Sequence, residues 1–174
     1  MTKKQSKPWE DDQAYQALIL DIKDHPFVTD LKAFKQHIYG NRLTHSYHVS
    51  YLGYRLAKRL NLDFRAVARA GLLHDLFYYY PGEVTFSKGG HLRNHPYIAL
   101  QNARVVTELS AKEEDIILKH MWLASPQLPR YRESFLVTFV DKYVAVVDFI
   151  EPCFKKAYFW CKKYMLRTRA HLPM

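Results

Sequence analysis

Apolar positions recur every three or four residues along most of this chain and almost nowhere at every second residue, a pattern that predicts helices. Residues 10–23 carry Ala14, Leu18 and the Asp21-Ile22 pair at helical spacing, and His25-Pro26 ends the segment. Thr29 or Asp30 caps a short helix to Tyr39, with Gly40-Asn41 as its stop. Thr44 caps the next helix, on which Val49, Leu52 and Leu56 share a face until Asn61 and Asp63 interrupt it. An Ala- and Leu-rich helix follows over residues 64–76, and a loop runs from Pro81-Gly82 to Gly89-Gly90. Asn94 caps a helix from His95 to Val106, with Pro96 early in its first turn, where a missing N–H costs nothing. Ser110-Ala111-Lys112-Glu113 fits a capping box for a helix to about His120. Pro126 and Pro129 mark a second loop. A long apolar helix spans about 133–150, and Pro152 separates it from a basic tail helix. Phe135 to Val140 is β-prone by composition, but its continuation through Asp141 to Phe149 favours helix. The fold class is therefore all-α. No internal repeat and no low-complexity segment is visible.

Composition narrows the setting. A chain of 174 residues, 48% hydrophobic and 25% charged, suits one soluble domain with a sizeable core. No apolar run approaches the roughly 18 residues that a bilayer span requires. The basic N-terminus leads into Pro8-Trp9-Glu10-Asp11-Asp12 rather than an apolar stretch, so no secretory signal is read. Cys153 and Cys161 lie eight residues apart in one helix-like segment, which favours reduced thiols and a cytoplasmic setting. The net charge is +9, yet six Lys or Arg and no acid fall after Phe154, so the rest carries only +3. Such a tail favours anionic partners. Docking of the tail on the core through Phe154, Tyr158 and Cys161 is favoured over contact with RNA or a membrane surface.

The candidate chemistry lies in His45, His74-Asp75, His95, His120 and Asp141, each in a segment that reads as helix. Imidazole and carboxylate are the usual ligands of zinc, manganese, iron and similar divalent ions. Six such groups exceed what one catalytic ion needs and suffice for two if a carboxylate bridges. They point to a metal-dependent enzyme acting on phosphate esters. His48, one turn from His45, and His91, four residues before His95, compete with these positions and are placed around the ligands or at the surface. His25, His37 and His171 have no partner pattern and are read as facing solvent.

Thr44-His45-Ser46, Gly71-Leu72-Leu73-His74-Asp75, His95-Pro96, His120 and Val140-Asp141-Lys142 together resemble the HD superfamily of metal-dependent phosphohydrolases. The order H…HD…H…H…D, with spacings of 29, 20, 25 and 21 residues, covers 45–141. The resemblance implies a single-domain helical bundle with the metal site between helices. The expected organisation is an N-terminal tail (1–12), an HD domain (13–151) and a basic C-terminal helix (152–174) packed on or extending it. It further implies that His45, His74, Asp75 and Asp141 hold one ion. His95 and His120 then add a second, with Asp75 bridging both and orienting a metal-bound hydroxide that attacks phosphorus. Iron or manganese is favoured, and magnesium, zinc, nickel and cobalt are further ions that suit such donors. The family's common glycine-containing turn and lysine after His-Asp are absent here, where Leu76-Phe77-Tyr78-Tyr79-Tyr80 follows.

Arg42, Lys88, His91, Arg93 and Lys142 are the candidate substrate contacts, because they are cations or imidazoles close to the ligands in sequence. The Tyr triplet reads as core and rim ahead of a base-stacking wall. Residues 81–94 read equally as a lid or a plain connection. The expected activity is hydrolysis of a small phosphomonoester or phosphodiester, with a nucleotide favoured. A mixed-valence di-iron oxygenase on the same scaffold is the first alternative, and a metal-binding regulatory or nucleic-acid-binding module the second.

Overall fold

The fold begins with short pieces, not with one helix over residues 10–23. The computed structural model of the chain describes residues 6–36 and 40–169, with side-chain surroundings described as far as Ile150. Helices α1 (Pro8–Asp11) and α2 (Gln13–Leu18) are divided by Asp12, whose carboxylate accepts the Tyr15 N–H at 3.0 Å. A capping residue is extended, so the Asp12 that starts α2 also breaks α1. Of the expected line Ile22 is buried, and the rest of the buried face lies one residue further on. Tyr15, Ile19 and Ile22 are fully buried, whereas Ala14 and Asp21 are exposed.

The ring of His25 caps α3 (Pro26–Thr29) by accepting the Phe27 N–H, so this histidine is not simply facing solvent. A 3-10 turn (Asp30–Ala33) follows, and there the expected helix to Tyr39 stops. Strand β1 (Lys35–Gln36) pairs antiparallel with β2 (Gly40–Asn41). His37 and His171 lie outside the described residues.

Four helix starts differ from or match the sequence reading for local reasons. Asn41, read as a stop, has an extended backbone and accepts the Thr44 N–H at 2.9 Å, so α4 (Arg42–Arg59) begins three residues before the expected cap is passed. Helix α5 (Phe64–Leu73) is capped by Asp63 and ends at His74. Helix α6 (His91–Val106) starts from Gly90, four residues earlier than Asn94 suggested. The Asn94 amide instead donates to the carbonyls of Lys88 and Gly90, and Pro96 falls in the second turn. In α7 (Ala111–Lys119) the Ser110–Glu113 capping box forms as expected.

Helix α8 (Arg132–Arg169) runs through Pro152 without a break, which corrects the expected separate tail helix. Proline's fixed φ is compatible with a helix; what it removes is one backbone donor. The proposed docking by Phe154, Tyr158 and Cys161 lies outside the described side chains.

Two close crossings bring the chemistry together. A Cβ on Gly71 would lie 2.8 Å from the Cα of Ser50, and one on Gly53 would lie 2.9 Å from Val67 Cγ1, so α4 and α5 approach backbone to backbone. Ser50 Oγ seals the crossing by donating to Ala68 O at 2.5 Å while accepting from Tyr15 Oη at 2.7 Å. Helix α4 also packs on α8, and α7 on α5, α6 and α8. Val49, Leu72, Leu73, Leu76, Ile116, Ile117 and Val137 form the shared core. Among the described residues the architecture is eight α-helices and one two-stranded ribbon, an all-α fold.

Candidate metal centre

Five helices deliver the six expected side chains to one place. His45 comes from the first turns of α4, His74 and Asp75 from the end of α5, His95 from α6, His120 from the end of α7, and Asp141 from α8. All six are at most 9% exposed. His45 Nε2 lies 3.0 Å and His74 Nε2 3.5 Å from Asp141 Oδ1. His74 Nε2 is 3.7 Å from Asp75 Oδ2, while His95 Nε2 and His120 Nε2 are 3.4 and 3.6 Å from Asp75 Oδ1. Two triplets have ligand atoms within 4.8 Å of one another: His45, His74 and Asp141, and His74, Asp75 and His120.

Hydrogen bonding at the far side of each ring fixes what faces inward. The Nδ1 atoms of His74, His95 and His120 lie 2.8, 3.0 and 2.8 Å from the carbonyls of Gly71, His91 and Ile117. A carbonyl only accepts, so each Nδ1 carries the proton and each Nε2 presents a lone pair in the neutral ring. His95 Nε2 and His120 Nε2 then face each other at 2.9 Å, two acceptors with no proton between them. His74 Nε2 is buried without a hydrogen-bond partner. Such a nest of lone pairs around two carboxylates is complementary to cations, and the donor set suits divalent ions.

The charges agree. Burial opposes ionisation of Asp75 and Asp141, but the surrounding imidazoles outweigh it and hold both carboxyls well below the usual range. Burial also opposes charging of His45, yet hydrogen bonds to Asp141 and Asp148 push its pKa to about 9. His120 goes the other way, down to about 3, through burial and then the neighbouring His74 and His95. Negative charge therefore collects on the carboxylates while His120 remains a neutral donor.

A sequence model of the HD domain matches residues 42–145, more than half of the chain and a span that holds all six side chains. The chain belongs to the HD-domain family. HD domains are commonly metal-dependent hydrolases. No curated protein and no solved structure matches this chain.

The HD domain opens the centre to a cavity of about 660 Å³. Phe77, Leu92, Met121 and Ala145 give it an apolar wall, and Lys35, Arg42, His91 and Lys142 line it beside the ligand cluster. Lys142 Nζ donates to the carbonyl of His120 at 3.1 Å, which holds the ammonium next to the centre. His91 starts α6, so its ring stacks on that of His95 with centroids 4.5 Å apart, and its Nδ1 meets Tyr79 Oη at 3.0 Å. Burial, then His95, lowers the His91 pKa to about 4, so this ring is neutral.

Of the remaining expected substrate contacts, Arg42 lines the cavity but is held by other groups, and Lys88 and Arg93 lie away from it. Arg42 is 2% exposed and donates to Phe77 O at 2.5 Å, Tyr79 O at 3.2 Å and Gln36 Oε1 at 3.2 Å. Its guanidinium also lies 3.6 Å over the Phe77 ring. Arg42 is thus a clamp on the segment that follows His74-Asp75. Lys88 and Arg93 are exposed and do not line the cavity; the Arg93 stem packs along Gly89 instead. None of the Tyr triplet lines it either. Tyr78 donates to Phe27 O, and Tyr80 Oη accepts from the Lys35 N–H. Residues 81–90 are exposed apart from half-buried Phe86, and Pro81 touches the cavity.

Two neighbours of the centre escaped the sequence reading. Gln36 donates to Asp75 Oδ2 at 3.3 Å from β1, a strand that no local signal announced. Asp148 Oδ2 lies 3.4 Å from His45 Nδ1, and its other oxygen 3.5 Å from His48 Nδ1. Its position seven residues after Asp141, two turns along the same face of a helix, was the available signal. His48 itself is 40% exposed and stands edge-on to Trp9. Among the described residues, no helix is long and apolar enough to cross a membrane.

Proposed function

We propose that this HD domain is a phosphohydrolase that uses two divalent ions, iron or manganese in preference to others, to hydrolyse a small phosphomonoester or phosphodiester. The observation that carries the reading is the division of Asp75 between two ligand sets. Its Oδ2 faces His74, and its Oδ1 faces His95 and His120. His45, His74 and Asp141 would hold one ion, His95 and His120 the other, and Asp75 both. Divalent ions there supply Lewis acidity toward water and phosphoryl oxygens.

The chain's own groups do the rest. Carbonyl bonds at Nδ1 keep His74, His95 and His120 in the tautomer that binds metal. The Lys142 ammonium, tethered to His120 O, meets phosphoryl oxygen at the edge of the centre. Phe77, Leu92 and Met121 shield the reacting groups from bulk water and receive the organic part of the ester. A nucleotide fits the cavity volume and these apolar and aromatic walls, and is the substrate class we favour. The cytoplasmic setting rests on the sequence features.

The test is elemental analysis of protein purified without added metal, followed by a phosphoester panel in air and under anaerobic conditions. We expect about two ions per chain and phosphate release that does not depend on oxygen. Turnover that requires oxygen would transfer the site to the di-iron oxygenases. Absence of metal after reconstitution, with salt-sensitive RNA binding and no turnover, would make the chain a binding module.

A further inference from the structure

We infer that Asp148 is a positioning residue for His45 and makes the His45 side of the centre the tighter of its two ion sites. This rests on the two-ion reading above. The four histidines differ in what holds their outer nitrogen. His74, His95 and His120 each bond a backbone carbonyl three or four residues back in their own helix. Those partners are neutral and local. His45 alone among the four turns Nδ1 toward a carboxylate, Asp148 Oδ2 at 3.4 Å, and that carboxylate comes from a different helix.

A carboxylate behind an imidazole fixes the ring, selects the Nδ1–H tautomer and raises the basicity of Nε2. It also adds negative charge beside a cation site. The His45 set therefore has Asp141 directly, a share of Asp75, and Asp148 behind the ring. The His95–His120 set has only its share of Asp75. Helix α8 supplies both the Asp141 ligand and, two turns on, the Asp148 orienter, so one rigid element sets the relation between them. The second Asp148 oxygen, 3.5 Å from His48 Nδ1, anchors the carboxylate to α4 from the solvent side. The same carboxylate thus touches α4 at two positions one turn apart.

The test compares wild type with Asp148→Asn, which keeps the shape and removes the charge, and with Asp148→Glu, which restores it. Manganese titration of metal-free protein, read by electron paramagnetic resonance of the free ion, gives stepwise affinities. Wild type is expected to load in two separated steps. In Asp148→Asn the tighter step should weaken by about 10- to 100-fold, the typical cost of losing an outer partner of a ligand, while the weaker step moves little. Asp148→Glu should recover part of the loss. Metal-free Asp148→Asn should keep its helical circular dichroism, and a weaker metal step that stays in place separates lost positioning of His45 from a general loosening of the α4–α8 tie. A second readout is the His45 Nδ1 proton of the zinc-loaded protein, expected as a slowly exchanging downfield resonance. Unchanged first-step affinity in Asp148→Asn, or no such resonance in wild type, overturns the inference and leaves the two-ion reading intact. Wild type that binds no divalent ion removes both.

Discussion

The two halves of the centre are built from different materials. On one side, His45 and Asp141 come from α4 and α8, lie 3.0 Å apart, and are backed by the Asp148 carboxylate. On the other, His95 and His120 come from α6 and α7, face each other at 2.9 Å, and are backed only by carbonyls. The first half answers burial with charge, and the second with neutral lone pairs. Asp75, at the end of α5, stands between the halves, with one oxygen toward His74 and the other toward His95 and His120. A centre of this kind should lose its functions in a definite order when it is taken apart.

Removing either member of the His74-Asp75 pair should do the most. His74→Ala or Asp75→Ala is expected to strip both ions and lower phosphoester turnover by at least about a hundredfold, since even outer partners of a ligand are worth 10- to 100-fold. Far-ultraviolet circular dichroism should show the helices largely retained. Full activity in either variant would overturn the assignment of the site. His120→Ala should act on one half only: elemental analysis is expected to fall from two ions per chain to one, held on the His45 side. Two ions per chain in that variant would show that His120 does not hold the second.

How much of this contrast was legible in the sequence depended on where each signal is stored. The six candidate ligands are residue types at particular spacings, and the structure brings all six together, because the chemistry is written in their identities. Stacking of His91 on His95 was not legible. It depends on α6 beginning at Gly90, a start with no side-chain cap, while Asn94 offered a plausible but wrong one. The bonds that tie Arg42 to the segment after His74-Asp75 were not legible, because a cation's partners can be carbonyls, and carbonyls carry no sequence signature. Gln36 reaches Asp75 from a ribbon that exists only through pairing of residues 35–36 with 40–41. The continuity of α8 through Pro152 was missed because proline was read as a stop, although its fixed φ is a helical one and a long helix can absorb the lost hydrogen bond and the crowded carbonyl.

The joint that carries the charged half can be loosened without touching a ligand. Gly71→Ala places a Cβ 2.8 Å from Ser50 Cα, a backbone atom that cannot rotate away. Helices α4 and α5 must separate, so His45 moves relative to His74. A loss of about 1–3 kcal/mol is expected in urea unfolding of the metal-free protein, as for other overpacked contacts. The tighter metal step should weaken with it. A variant as stable as wild type, with both metal steps unchanged, would mean that the crossing does not set the geometry of the centre.

The neutral half has its own joint, and its effect should be the smallest. Asp115 on α7 accepts from Ser134 Oγ at 2.7 Å and from the Arg130 N–H at 2.9 Å, and pairs with Lys119 at 2.5 Å, so it ties α7 to the start of α8 just below His120. Burial acts to raise its pKa, but Lys119 and these donors outweigh that and lower it below the ordinary 3.8. A carboxyl with a depressed native pKa stabilises the fold above its unfolded pKa, and the contribution is lost as pH falls through the native value. Metal-free protein should therefore lose stability below about pH 4, with Asp115 as one contributor. Asp115→Asn is expected to cost about 1 kcal/mol at neutral pH, a charged hydrogen bond exchanged for a neutral one, and to flatten that acid limb. Because the joint lies on the α7 side, the weaker metal step should respond and the tighter one should not. An equal response of both steps would mean that the halves are mechanically coupled and that the contrast between them is one of charge alone.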